Sequence, residues 1–403
     1  TLAGVGVAAA LSVVLTALNW YAVRMFARLN NLITVFKIAV PVITVIALIA
    51  SGWHEGRLTD HGGFAPYGYA ACLTALAGGG IVYSVNGFQA PLDFSGEARN
   101  PRKTIPAAVL TGIALAVAMY LALQVAFLFT VPENLLGGGW KGVSFESPFG
   151  QLALILNLHW LSSLLYADAV ISPGGSAYVG VAINARHTYA LAKNRTLPRF
   201  FMAVNERFGV PRRALVLNLA VIVIFLLPFG GWQDIVSVMG NMYLLIYGAS
   251  AVAAAVFLAD PGSRTSGWVP GLRWIAPVSF VVASEFVYWS GWHNLRLALP
   301  LVLAGLLIFL AMRRSGDGAA DAVGDRDGAG RRLPLLAELR TGAWLVAYLA
   351  VLPLLSWLGS FEGSGLLPAP YDSLIVAAFA LAVFFWAVRS GVRHLAESRT
   401  AAV

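Results

Sequence analysis

The chain reads as a succession of long apolar stretches separated by short polar or Pro/Gly-containing segments. A helix needs roughly 20 apolar residues to cross about 30 Å of hydrocarbon. By that measure about eleven spans are predicted, over 3–22, 29–51, 70–90, 105–131, 152–182, 214–230, 235–259, 273–290, 295–312, 342–359 and 372–389. The expected fold class is therefore all-α, a polytopic membrane protein embedded in the lipid bilayer.

Composition supports that pattern. Of 403 residues, 59% are hydrophobic and 11% charged, against about 25% charged in ordinary soluble domains. The 12 Trp, 13 Tyr and 22 Phe suit interfacial belts and lipid-facing helix surface. The single cysteine, Cys72, rules out an intrachain disulfide or a thiolate metal cluster.

A net charge of +8 raises the question of nucleic acid. The basic residues, however, sit in short loops beside apolar spans, where they orient a membrane protein. Alternate loops carry Arg24 and Arg28; Arg99, Arg102 and Lys103; seven residues from Arg186 to Arg213; Arg264 and Arg273; six from Arg313 to Arg340; and Arg389, Arg393 and Arg399. The opposite face receives Arg57, Lys141 and Arg296, and Lys37 lies inside a span. This asymmetry is that of cytoplasmic loops. It predicts an external start, a cytoplasmic C-terminus, residence in the cell membrane and no nucleic-acid partner. Residues 314–334, rich in Gly, Ala, Asp and Arg, predict a flexible cytoplasmic linker. The chain opens at Thr1 directly inside an apolar stretch, which reads as an N-terminal truncation.

Polar groups are costly in lipid, so an intramembrane ionisable residue or an interrupted helix is a candidate site. In Tyr83-Ser84-Val85-Asn86-Gly87-Phe88-Gln89-Ala90-Pro91 the middle is a poor helix. Gly87 lies about 18 Å from the inner face at 1.5 Å per residue. A break there frees backbone N–H and C=O groups that can hold the carboxylate and ammonium of a substrate. The bland alternative is a proline kink with close helix packing.

Lys37 lies about 13 Å deep, on a stripe with Asn30, Thr34, Pro41 and Thr44. Desolvation disfavours a charged ammonium, so an intramembrane lysine can take up and release a proton; otherwise it is a structural amine bonded to helix-end carbonyls. Asp168, Ser172, Ser176 and Gly180 share one helix face. Ser176, about 15 Å deep, matches Lys37, whereas Asp168 at about 27 Å fits an outer vestibule or solvated position. Glu285, a single acid in the span 273–290 with Ser284 and Tyr288 close by, is a fourth candidate, the favoured reading being a carboxylate kept satisfied near the interface. His159 and His187 have no second ligand at metal spacing, and no nucleophile or metalloprotease motif occurs. No catalytic residue, metal or cofactor is expected.

Three stretches carry a resemblance. Gly87-Phe88 through Glu97, with Asn100-Pro101-Arg102-Lys103 and Ile105-Pro106, resembles the sixth helix and following loop of the amino acid-polyamine-organocation (APC) permease superfamily. Ala167-Asp168-Ala169, Ser172-Pro173-Gly174-Gly175-Ser176 and Leu197-Pro198-Arg199-Phe200 are similar to its eighth helix and the loop after it, and Asn19 to Lys37 to its fifth-helix region. The resemblance implies two inverted five-helix repeats, with about 11 helices present of about 14. It places a transporter core at 1–260 without its first three helices, helices 11 and 12 at 261–313, the linker at 314–334 and a terminal helix pair at 335–403. It also implies substrate binding by Tyr83, Ser84, Asn86, Gly87 and Phe88, with Tyr83 as an aromatic gate, and proton coupling through Lys37, Ser172 and Ser176. Gln89 departs from the acid that many members carry there. The run Gln89 to Asp93 looks like the aspartate-proton symporter subgroup. The expected activity is proton-coupled amino acid symport, the alternatives being an amino acid exchanger or a non-transporting sensor.

Overall fold

The computed structural model describes residues 2–21, 23–77, 80–93, 98–194, 196–205, 209–226, 232–261, 270–314 and 340–400. Their regular structure is helical: α1 (Leu2–Tyr21), α2 (Val23–Ser51), α3 (Gly68–Ala77), α4 (Ile81–Ser84), α5 (Ala90–Asp93), α6 (Pro101–Thr130), α7 (Pro148–Ile155), α8 (His159–Lys193), α9 (Arg212–Leu226), α10 (Trp232–Ala259), α11 (Leu272–Trp289), α12 (Trp292–Arg314), α13 (Ala343–Leu358) and α14 (Tyr371–Thr400). The protein is an all-α polytopic membrane protein. Six described helices, α1, α2, α6, α10, α12 and α14, are long and apolar enough to cross a membrane. Helices suit that task because every backbone polar group is satisfied within the segment. Val7, Leu32, Val35, Ile46, Val170 and Leu307 are outward-facing apolar side chains of these helices and of α8, as a lipid-facing surface requires.

The remaining predicted spans also fall on helix, with two changes of outline. The segment 70–90 is not one helix but α3, α4 and α5 in series. The segment 152–182 starts late: α7 stops at Ile155, Asn157 takes φ 59°, and α8 begins at His159. Asparagine tolerates that left-handed conformation because its short polar side chain can bond locally. At 35 residues, α8 is about 52 Å long and outruns the hydrocarbon layer. The linker from residue 315 onward, Glu97 and the Asn30 side chain lie outside the described residues.

The helices gather into two compact units, the first of residues 1–68, 87–189 and 201–228, the second of 69–86, 190–200 and 229–403. In the first, α2 packs on α6 and α1 on α9. One core cluster there holds Leu48, Ala126, Val131, Leu136, Leu152 and Leu161, and a second holds Val181, Ala185, Val210, Ala214 and Leu215. In the second unit α10, α11 and α14 pack together, with α12 and α13 against them. Its core runs from Val82 and Leu244 through Phe280 and Tyr288 to Val376 and Phe384.

Candidate functional site

The break in the third span is built by its own residues. Four residues, Ile81–Ser84, form α4, residues 85–89 turn, and Ala90–Asp93 resume the helix. Gly87 has φ 98°, a backbone conformation that only glycine adopts without a steric cost. Pro91 brings no N–H to the resumed helix. Across the turn, Asn86 N–H donates to the Tyr83 carbonyl and Ala90 N–H to the Gly87 carbonyl, each at 3.0 Å. Ser84 Oγ donates to the Ile81 carbonyl at 2.7 Å. Gly87 N–H donates to the Gln89 side-chain oxygen at 3.2 Å. The amide hydrogen expected to face a substrate carboxylate is thus met by a neighbouring side chain. Gln89 does this because its amide carbonyl is an acceptor two residues beyond the left-handed glycine. Tyr83, Asn86 and Phe88 are half-buried, whereas Ser84 and Gly87 are exposed.

On the second unit's side of the turn, Tyr247 of α10 donates its hydroxyl to Asn86 Oδ1 at 3.0 Å. The Tyr247 ring stacks on Tyr243, centroids 6.1 Å apart. Tyr83 and Tyr247 both lie within electrostatic range of Tyr243. Tyr83, Asn86, Tyr243 and Tyr247 therefore form one polar aromatic cluster inside that unit. Sequence reasoning missed the two α10 tyrosines. Their spacing of four puts both on one helix face, the single signal that could have found them.

In the first unit, Lys37 of α2 donates to Ser176 Oγ of α8 at 2.5 Å. The depth match read from the sequence appears here as a hydrogen bond. The contact is possible because α2 and α8 approach closely: a Cβ at Gly175 would lie 2.7 Å from Ile33 Cγ2. Asn19 fastens α1 to the same helix, donating to the Tyr178 carbonyl at 3.1 Å. Further along α8, Ser172 Oγ donates to Asp168 Oδ1. Of the expected proton-coupling trio, the structure brings Lys37 and Ser176 together and commits Ser172 to Asp168. Thr44 is buried and bonds back to Val40 of its own helix at 2.8 Å.

A third cluster, which sequence reasoning also missed, joins the loop before α3 to the one after α6. Arg57, with only 2% of its side chain exposed, reaches Glu133 and donates to the Val131 carbonyl at 2.7 Å. His61 Nε2 approaches the other Glu133 oxygen at 2.9 Å. The Arg57 hydrogen bond holds the Glu133 carboxyl below its ordinary range.

Comparison with known proteins adds a family and relatives. A family model described as amino acid permease matches residues 1–310. The chain is 35% identical over 402 residues to the glutamate/serine transporter AimA of Bacillus subtilis, covering 97% of this chain and 71% of that protein. It is 31% identical over 379 residues to the aspartate-proton symporter of the same organism, covering 93% and 70%. An uncharacterized amino acid permease of Bacillus subtilis, YvbW, is 25% identical over 290 residues, covering 67% and 63%.

Proposed function

The chain belongs to the amino acid permease family, and on that premise we propose that it takes up an amino acid by proton-coupled symport, with Lys37 as the group that gains and loses the proton. Amino acid transport follows from the family; the coupling ion, the residues and the substrate are our reading. The observation that carries it is the Lys37–Ser176 hydrogen bond. An ammonium donates to a hydroxyl oxygen, and a neutral amine can accept from the same hydroxyl, because serine is both donor and acceptor. The partner therefore serves both protonation states, where a carboxylate would favour the charged one alone.

Substrate binding is assigned to the turn at Tyr83, Ser84, Asn86, Gly87 and Phe88. Its polar backbone meets a carboxylate and an ammonium once the Gln89 side chain gives up the Gly87 amide, and Tyr83 closes over them. Asp168, tied to Ser172, serves the outer vestibule. The relatives named for glutamate, serine and aspartate make an acidic or small polar amino acid the first substrate class to test. We further place the transporter core at 1–260, helices 11 and 12 at 261–313, the cytoplasmic linker at 314–334 and a terminal helix pair at 335–403, with the C-terminus cytoplasmic.

The test is uptake of radiolabelled glutamate, aspartate and serine by the full-length protein in proteoliposomes. An inward proton gradient should accelerate uptake, and Lys37→Ala should abolish that response while binding remains measurable. Coupling retained in Lys37→Ala overturns the residue assignment. Uptake that requires preloaded amino acid identifies an exchanger instead, and binding without flux a sensor.

A further inference from the structure

Far along the chain from Lys37, the described residues of the second unit bury Asp260, Glu285 and Asp372, and the last two bear on one another. Glu285 on α11 is 6% exposed and Asp372 in the first turn of α14 is 1% exposed. Their surroundings differ completely. Asp372 is fully served by donors: Tyr288 Oη at 2.5 Å, Ser360 Oγ, the Ser360 amide at 3.3 Å and, on its other oxygen, the Ser373 amide at 2.7 Å. It also sits at a helix N-terminus, where the helix dipole favours negative charge. A carboxylate with several donors and that dipole is stable as the anion.

Glu285, read from the sequence as a satisfied carboxylate, has nothing comparable. Both of its carboxyl oxygens are buried with no hydrogen-bond partner. The Ser373 hydroxyl, which accepts from Trp289 Nε1 at 3.0 Å, faces it from outside bonding geometry. Among the described residues no Lys or Arg forms an ion pair with Glu285. The titratable groups around it are Tyr288, one turn along α11; Asp372 of α14, whose charge bears on it; and Tyr348 of α13, whose hydroxyl meets Ser284 Oγ at 2.9 Å. Those of the other packed elements are engaged elsewhere. On α10, Tyr243 and Tyr247 stack on one another; on α12, Arg296 pairs with His293; Glu362 lies exposed at Gly291. An ionised carboxylate with no formed hydrogen bond, buried in the helix packing beside a second carboxylate, would neutralise by taking a proton.

We propose that Glu285 is a proton-binding site, held as the neutral acid beside the ionised Asp372, and that its bound proton allows α11 and α14 to pack together. Release leaves a Glu285 carboxylate and sends the proton to water. Two anions then share a contact that has donors for one, so the contact loosens. The site is separate from Lys37 and stands whether or not the permease is proton-coupled.

Infrared difference spectroscopy on the full-length protein in lipid tests it. At neutral pH the wild type should show the carbonyl band of a protonated carboxylic acid, shifted by isotopic labelling of glutamate and absent from Glu285→Gln. The labelling experiment needs no variant to fold. Melting temperature provides a second readout. Glu285→Gln mimics the neutral acid, so it should match the wild type at neutral pH and lack the fall of a few degrees that the wild type shows on going alkaline. Asp372→Asn should melt lower throughout. A labelled band in the carboxylate region alone, or a loss at neutral pH for Glu285→Gln as large as for Asp372→Asn, overturns the proposal.

Discussion

Arg57 shows how one side chain can secure a loop. Its guanidinium is buried and bonds the Val131 carbonyl, while Glu133 at 65% exposure closes the pair from the water side. Arg57→Ala strips a buried carbonyl of its donor, a loss of about 1–3 kcal/mol, read as a lower melting temperature. Glu133→Gln should lose much less, since water can replace an exposed partner. The pair also has a pH sign. A carboxyl held below its ordinary range stabilises the fold above its unfolded value of about 4.3. That contribution disappears as pH falls through the lower folded value. The acid limb of the melting curve should therefore flatten in Glu133→Gln. Legibility at this scale depended on whether depth alone made the match. The Lys37–Ser176 match could be counted in helical rise, because depth in a bilayer needs no tertiary knowledge. The Tyr247–Asn86 bond and the Glu285–Asp372 contrast depend on how distant helices face one another, which a single sequence does not encode locally.

At the scale of elements, hydropathy located the spans, and residue conformation decided where they stop. The predicted span 152–182 begins late because a left-handed Asn157 separates α7 from α8, a detail that no hydrophobic window records. The break in the third span was legible from Gly87 and Pro91; the Gln89 bond across it was not, since it depends on the torsions of the turn itself. Gly87→Ala puts a Cβ on a backbone with φ 98°, costing about 1–2 kcal/mol. It should lower the melting temperature and cut substrate uptake. Gly112→Ala in α6, where nothing lies within 4 Å of an added Cβ, should leave both near the wild-type values.

For the whole molecule, charge asymmetry is the strongest orientational statement the sequence makes. It predicts that a cysteine placed at Arg393, in a Cys72→Ser background, reacts with an impermeant maleimide only after the membrane is permeabilised. A cysteine at Lys141 should react in intact cells; the reverse result would invert the topology. Two units, each with its own buried core, could not be read from the sequence, because each is assembled from three separated stretches. The turn at Asn86 and Gly87 is one of the points where the chain leaves one unit for the other. There the Gln89 carbonyl already sits on the Gly87 amide. On the binding mode proposed above, a substrate carboxylate must evict an incumbent, so its affinity would measure a difference between two tenants of one amide rather than the filling of a vacancy. A site working as proposed would let go readily, since the returning glutamine would help displace the cargo.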